Sequence, residues 1–191
     1  MAHGDIEIEI KVMVENAKPI IDFLEKNGDY KGEARQIDEY FTPAHKDYLS
    51  TFPVKEWFRI REEKKGTSIN YKNYHHDENG KSTFCDEFES SISNIGQVRK
   101  ILNALGVKSL IKVDKLRKIW DYNEYEVAID EVVGLGTYVE IEFKGASKDY
   151  NKINGEMVKF LKDIGVGKIE RIYQGYPFIL LFPEKVEAIE V

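Results

Sequence analysis

Cysteine is almost missing from this sequence. Cys85 stands alone among 191 residues, so an internal disulfide, a multi-thiolate metal centre and a zinc ribbon are all excluded. Long apolar runs are missing as well: the longest, Phe178 to Phe182, is far too short to span a bilayer. Excess positive charge is absent. The formal charge is −6, the sequence pI is near 5.4, and no dense Lys/Arg tract marks a nucleic-acid or anionic-membrane footprint. Any polyanion must therefore be met by a local cluster. No low-complexity linker and no internal repeat divides the chain. One domain over 1–191 is expected, with core strands in about 5–145 and a C-terminal helix and tail over 147–191. The opening Met1-Ala2-His3-Gly4-Asp5 runs straight into alternating charged and apolar residues without the apolar region of a signal peptide. A cytoplasmic location is expected, with neither nucleic acid nor membrane as partner, and the chain acting as a monomer or homodimer.

What is present is period-2 alternation. Ile6, Ile8, Ile10, Val12 and Val14 fall on one face of a strand, with Glu7, Glu9 and Lys11 on the other. A helical pattern over 17–26 carries Ile20, Ile21 and Leu24, tolerates Pro19 in its first turn and stops at Gly28. Residues 30–41 read as a second strand and 42–55, with two prolines and no period, as a long loop. Further strands are predicted over 57–63, 68–74 and 82–89, with turns at Lys65-Gly66 and Asp77-Glu78-Asn79-Gly80. Asn94 is placed to cap a helix that ends at Gly106. Strands over about 107–121, 125–130 and 137–144 and a helix from Ser147 complete the pattern, and 171–183 is left unassigned. Eight or so strands interrupted by three helices predict an antiparallel β-barrel or strongly curved sheet.

The polar faces of these strands repeat two chemical types. Carboxylates appear as Glu7 with Glu9, Glu87 with Glu89, Glu126 with Asp130, and Glu140 with Glu142; cations appear as Lys11, Arg59 with Arg61, Lys72, and Lys115 with Arg117. Even spacing puts the members of each pair on one side of a strand. An antiparallel sheet with one wet face accommodates such residues without any function. Against that reading, like charges at i and i+2 repel unless an opposite charge lies between them. A metal-bound polyphosphate on this face would relieve both repulsions. A triphosphate carries roughly four negative charges and needs several Lys or Arg side chains, while Mg²⁺ is usually held by only one or two carboxylates, with phosphate and water completing its shell.

Glu7-x-Glu9-x-Lys11 resembles the ExExK signature of the CYTH superfamily, the triphosphate tunnel metalloenzymes. The order of later motifs strengthens the resemblance: Gln36-Ile37-Asp38-Glu39-Tyr40-Phe41-Thr42-Pro43, Phe58-Arg59-Ile60-Arg61-Glu62, Lys72, Lys115-x-Arg117, then Ile129-Asp130 through Gly134-Leu135-Gly136 to Glu140-Ile141-Glu142. Over about residues 5–145 the chain looks like the class IV adenylyl cyclase branch. The resemblance implies an eight-stranded closed barrel with flanking helices. It implies Mg²⁺ or Mn²⁺ held by Glu7, Glu9, Asp130, Glu140 and Glu142, and a triphosphate gripped by Lys11, Arg59, Arg61, Lys72, Lys115 and Arg117. Lys11, Arg61, Lys72 and Tyr40 are the implied catalytic residues. Substrates implied are ATP, cyclised to cyclic AMP and pyrophosphate, or else thiamine triphosphate, a nucleoside triphosphate or tripolyphosphate, hydrolysed. A non-catalytic polyphosphate-binding module is the third reading. Glu87 and Glu89 match in two registers, and the Arg171-Ile172-Tyr173 resemblance to the family's C-terminal Arg-x-Tyr carries no assigned role.

Other features point elsewhere and are set aside. Gly80-Lys81-Ser82 lacks the earlier glycine of a P-loop, His75 standing in its place, and reads as a hairpin turn. Gly134-x-Gly136 lies between two strands rather than between strand and helix, which is a tight turn and not a dinucleotide fingerprint. His75 and His76, as neighbours on a strand, point to opposite faces, and Cys85 has no evident His partner. Tyr40, Trp57, Trp120, Tyr122 and Tyr125 suit core or rim packing better than base stacking.

Overall fold

The computed structural model describes residues 6–80, 82–147 and 149–191. β1 (Ile6–Val14) shows why the chain begins as a strand: Ile8, Ile10 and Val12 are buried in one apolar cluster, while Glu9 and Lys11 turn to the opposite face. α1 (Lys18–Asn27) follows with Pro19 in its first turn and buries Ile20 and Leu24. Then come β2 (Asp29–Thr42), a loop with one 3-10 turn at Tyr48–Ser50, β3 (Glu56–Glu63), β4 (Gly66–His76) and β5 (Ser82–Ile92). α2 (Ile95–Ala104) is capped by Asn94, whose side chain accepts from the Gln97 N–H. β6 (Lys108–Tyr122), β7 (Tyr125–Val132) and β8 (Gly136–Phe143) complete the meander.

α3 (Tyr150–Ile164) is capped by Asp149 and ends at Gly165, whose φ of 81° suits the left-handed C-cap. Its Ile153, Met157 and Leu161, spaced four apart, are buried against β1, β7 and β8 together with α1. The helices therefore cover the outside of the sheet, and the alternation that buries Val127, Ile129, Val139 and Ile141 under them turns Glu126, Ala128, Glu140 and Glu142 inward. The unassigned tail forms β9 (Ile169–Ile172), α4 (Tyr176–Leu181), a 3-10 turn at Pro183–Lys185 and β10 (Ala188–Glu190). α4 and β9 bring Ile172, Tyr176 and Phe178 into a second apolar cluster with Tyr40, Trp57, Val113 and Tyr138.

The eight-stranded closed barrel expected from the resemblance is corrected in count and in closure. The sheet is antiparallel and ten-stranded, in the order β10-β9-β1-β5-β4-β3-β2-β6-β7-β8, with an added β1–β8 pairing. β1 divides its length among three partners: Ile6 and Glu7 face β5, Ile8 to Val12 face β8, and Val12 to Val14 face β9. Among the described residues only two residue pairs join β1 to β5, so the assembly is a sheet curled on itself rather than an even cylinder. Three helices were expected and four α-helices form among the described residues, because the tail supplies α4. No helix among the described residues is long and apolar enough to cross a membrane.

Candidate functional site

Strand register sets the site. Lys11 lies opposite Glu140 and Glu9 opposite Glu142 across β1–β8; Glu142 in turn lies opposite Glu126 across β7–β8. Arg117 lies opposite Asp130 across β6–β7, Asp38 opposite Arg61 across β2–β3, and Lys72 opposite Glu87 across β4–β5. Their inward faces enclose a cavity of about 250 Å³ whose lining includes every cation expected from sequence: Lys11, Arg59, Arg61, Lys72, Lys115 and Arg117. Tyr40 lines it too, as do Glu9, Glu140 and Glu142. Of the expected metal ligands, Glu7 lies in β1 opposite Cys85, but its side chain falls outside the described residues.

The cations do not wait for an external anion to relieve their mutual repulsion. Asp38, 1% exposed, accepts both Nε and Nη2 of Arg61 at 2.7 Å and lies 3.4 Å from Nη1 of Arg59. Burial alone would raise the Asp38 pKa, but the Arg59 and Arg61 charges outweigh it and hold this carboxyl well below the usual range. Asp130, fully buried, plays the same part on the other wall: its Oδ2 accepts Lys115 Nζ at 2.9 Å and Arg117 Nη2 at 2.5 Å, and Oδ1 accepts Arg117 Nε at 2.6 Å. Glu140 pairs with Lys11 Nζ at 3.1 Å and with Arg117 Nη2. Lys72 Nζ is 3.4 Å from Glu87. Both Asp130 oxygens being taken by cations, this residue is placed to aim Lys115 and Arg117 rather than with the group formed by Glu9, Glu126 and Glu142.

Burial dominates the electrostatics here. It pulls the Lys115 ammonium down to about 7, aided by the Arg117 charge and opposed by Glu140 and Asp130. Glu140 is held low because Arg117, Lys11 and Lys115 outweigh its burial. Glu142 moves the other way: burial, together with Glu9 and Glu126, raises its pKa against the opposing Lys144, whose Nζ is 2.6 Å away. A carboxyl destabilised by two carboxylate neighbours is a place where a cation would bind favourably. Counting Asp38 and Asp130 with the acids lining the cavity, eight carboxylates face seven Lys and Arg, so the protein's own charge there is slightly negative.

Two residues that sequence reasoning gave no role complete the site. Asp38 was visible inside a motif, on the same strand face as Gln36 and Tyr40, but its partners depend on the β2–β3 register. Tyr176 comes from the unassigned tail. Its hydroxyl donates to Asp130 Oδ2 at 2.9 Å, and its ring lies 4.1 Å from Lys11 Nζ and 5.0 Å from Lys115 Nζ. Burial and the Glu140 and Asp130 charges push its phenol far above the ordinary value, so it stays a donor. Tyr74 donates to Glu9 at 3.2 Å. Tyr40 packs edge-on against Trp57 and brings its hydroxyl within 3.4 Å of Arg59.

The family model for the CYTH domain matches residues 5–176. The chain belongs to the CYTH family. A Methanocaldococcus jannaschii protein named provisionally as an adenylate cyclase is 31% identical over 174 residues, covering 90% of this chain and 96% of that one. A Pyrococcus horikoshii structure superposes with a TM-score of 0.77 at 27% identity, covering 93% of this chain and 99% of its own. A Hippeastrum protein, named for adenylyl cyclase and described as having a dominant triphosphatase activity, shares the fold with a TM-score of 0.63 at 21% identity, covering 93% and 95%.

The oxygen-rich lining suits a hard divalent cation. Among the described residues no three His, Cys, Asp or Glu groups close around a common point. Mg²⁺ asks for less than that, since one or two carboxylates suffice when phosphate oxygens and water complete the shell.

Proposed function

We propose that this CYTH protein is a divalent-metal-dependent enzyme acting on a triphosphate, and that its reaction is the cyclisation of ATP to cyclic AMP and pyrophosphate. One observation carries the reading: Glu9, Glu142 and Glu126 sit side by side across β1, β8 and β7, in the same cavity as the cations of β3, β4 and β6. A lining with a slight negative excess repels a bare triphosphate, whereas the same lining attracts one that arrives with its metal. Glu9 and Glu142 would hold Mg²⁺ or Mn²⁺, with Glu126 beside them, Glu7 as a further donor on the same strand, and Glu140, like Asp130, held by its cations next to that group. Bound there, the ion would neutralise phosphate charge and polarise the phosphorus.

The remaining chemistry belongs to the chain. Arg61 and Arg117, aimed by bidentate bonds to Asp38 and Asp130, present fixed guanidiniums to phosphate oxygens, and Lys11, Lys72, Lys115 and Arg59 add point charges around the same cavity. This fixes the triphosphate so that the ribose 3′-oxygen attacks the α-phosphorus, its proton passes to water, and the bond to the pyrophosphate oxygen breaks. No protein nucleophile is needed. The 31% identical relative that bears the adenylate cyclase name favours this outcome. A second reading is attack of water on the terminal phosphorus, with Tyr40 and Lys72 beside the reacting group; the Hippeastrum protein's described activity favours it. Product analysis after incubation with ATP and Mg²⁺ or Mn²⁺ separates them. Cyclic AMP with pyrophosphate is expected, ADP or AMP with phosphate species selects hydrolysis, and no turnover of any triphosphate overturns the enzyme reading.

A further inference from the structure

A second cluster of cationic and amide groups lies away from the cavity, in a groove of about 380 Å³ between α3 and strands β5 and β9. Arg171 is its base. On β9, Arg171 shares a face with Ile169, which packs into the cluster under α3, while Ile172 turns the other way into the cluster around Tyr176. The groove is thus on the helix-covered side of the sheet, separated from the cavity by the strand itself.

Arg171 is 8% exposed, and no carboxylate lies within ion-pair distance of it among the described residues. Its contact is with Tyr173, whose ring lies 4.5 Å from the guanidinium carbon. Burial lowers its pKa, opposed by a hydrogen bond with Tyr173, so the guanidinium has lost water and gained a phenol rather than a carboxylate as its partner. Buried guanidiniums ordinarily sit against carboxylates. Around it the groove is lined by Lys162, Asn151, Asn154, Thr83 and Asp77. Asn154 is 6% exposed, and its buried Oδ1 accepts no hydrogen bond.

Those two unmet needs differ in sign. Arg171 and Lys162 call for an anion, whereas Asn154 Oδ1 calls for a donor, and the Asp77 carboxylate opposes a highly charged polyanion. An ionised carboxylate or sulfate supplies charge but no hydrogen. Phosphate near neutral pH supplies both, because at least one of its oxygens remains protonated. We propose that this groove is a second anion site, separate from the cavity, that binds inorganic phosphate through Arg171 and Lys162, with a phosphate hydroxyl donating to Asn154 Oδ1.

Equilibrium dialysis of the full chain against radiolabelled phosphate, with and without sulfate, tests it. Arg171→Gln should remove one phosphate equivalent per chain. Lys162→Gln, on the exposed side of α3, should weaken that equivalent about tenfold with the fold untouched, which keeps the test valid if the buried substitution misfolds. Sulfate should compete at least about tenfold less well than phosphate, the loss of one hydrogen bond to a buried acceptor. Phosphate stoichiometry and affinity unchanged in Lys162→Gln and in any folded Arg171→Gln protein, or sulfate competing as well as phosphate, would overturn the site.

Discussion

Single residues in this site act mostly through one another. Asp38 contributes no ligand of its own; it holds Arg59 and Arg61 at fixed positions and cancels part of their charge. Asp38→Ala should cost about 3 kcal/mol of stability in chemical denaturation, because two partly buried guanidiniums lose their counter-ion. Added tripolyphosphate with Mg²⁺ should restore more stability to the variant than to the wild type, and equal restoration in both would contradict the assignment. Lys115 offers a pH readout. Its folded pKa of about 7 lies below the unfolded value of 10.5, so its contribution makes stability rise with pH between those values. A polyanion beside it favours the charged form. Tripolyphosphate binding with Mg²⁺ at pH 8 should therefore take up a proton, little should be taken up at pH 6, and Lys115→Arg should abolish the uptake, as calorimetry in buffers of different ionisation heat will report. Even spacing made these cations legible in sequence, but not which acid holds which of them. The resemblance implies Asp130 as a metal ligand; its bonds to Lys115 and Arg117 depend on register, which alternation leaves open.

At the scale of elements, the strands were legible and the tail was not, for a physical reason. β1, β7 and β8 alternate because one face packs under helices and the other lines a polar cavity, so each residue type reports its side. α4 is six residues long, too short for a helical period, and it exists because Tyr176, Phe178 and Ile179 are buried by tertiary contacts. Its role follows from where it docks. Tyr176→Phe keeps the ring beside Lys11 and Lys115 and loses one bond to a buried carboxylate, about 1.5 to 3 kcal/mol of stability. Tyr176→Ala removes the ring as well and should cost about 3 to 5 kcal/mol. Tripolyphosphate affinity should fall more in the alanine variant than in the phenylalanine one; an equal fall in both would show that the ring does not position the lysines. The β1–β8 pairing and the two added strands were likewise out of reach, since a strand that serves three partners looks like any other in sequence.

The whole molecule is acidic, its cavity is lined by cations and carboxylates in near balance, and on the proposed reading a metal reconciles the two with a polyanionic substrate. With lining charges near balance, ligand binding should track phosphate count and metal rather than the organic group. Tripolyphosphate with Mg²⁺ should raise the melting temperature well above the rise given by AMP with Mg²⁺ at equal concentration, because stabilisation follows concentration over Kd for the native state. AMP, with one phosphate, reaches few of the cations that line the cavity. A larger AMP effect in the thermal-shift series would mean that the base is the main handle. Tyr176 also has a consequence during synthesis. The cavity takes Glu9 and Lys11 from β1 and Tyr176 from α4, so residues far apart in the chain meet at one point. On the ribosome, Lys11 of β1 gains that aromatic neighbour only once α4 has emerged. A chain stopped before α4 would carry Glu9, Lys11 and the cations of β3, β4 and β6 without the residue that sets Lys11 and Lys115.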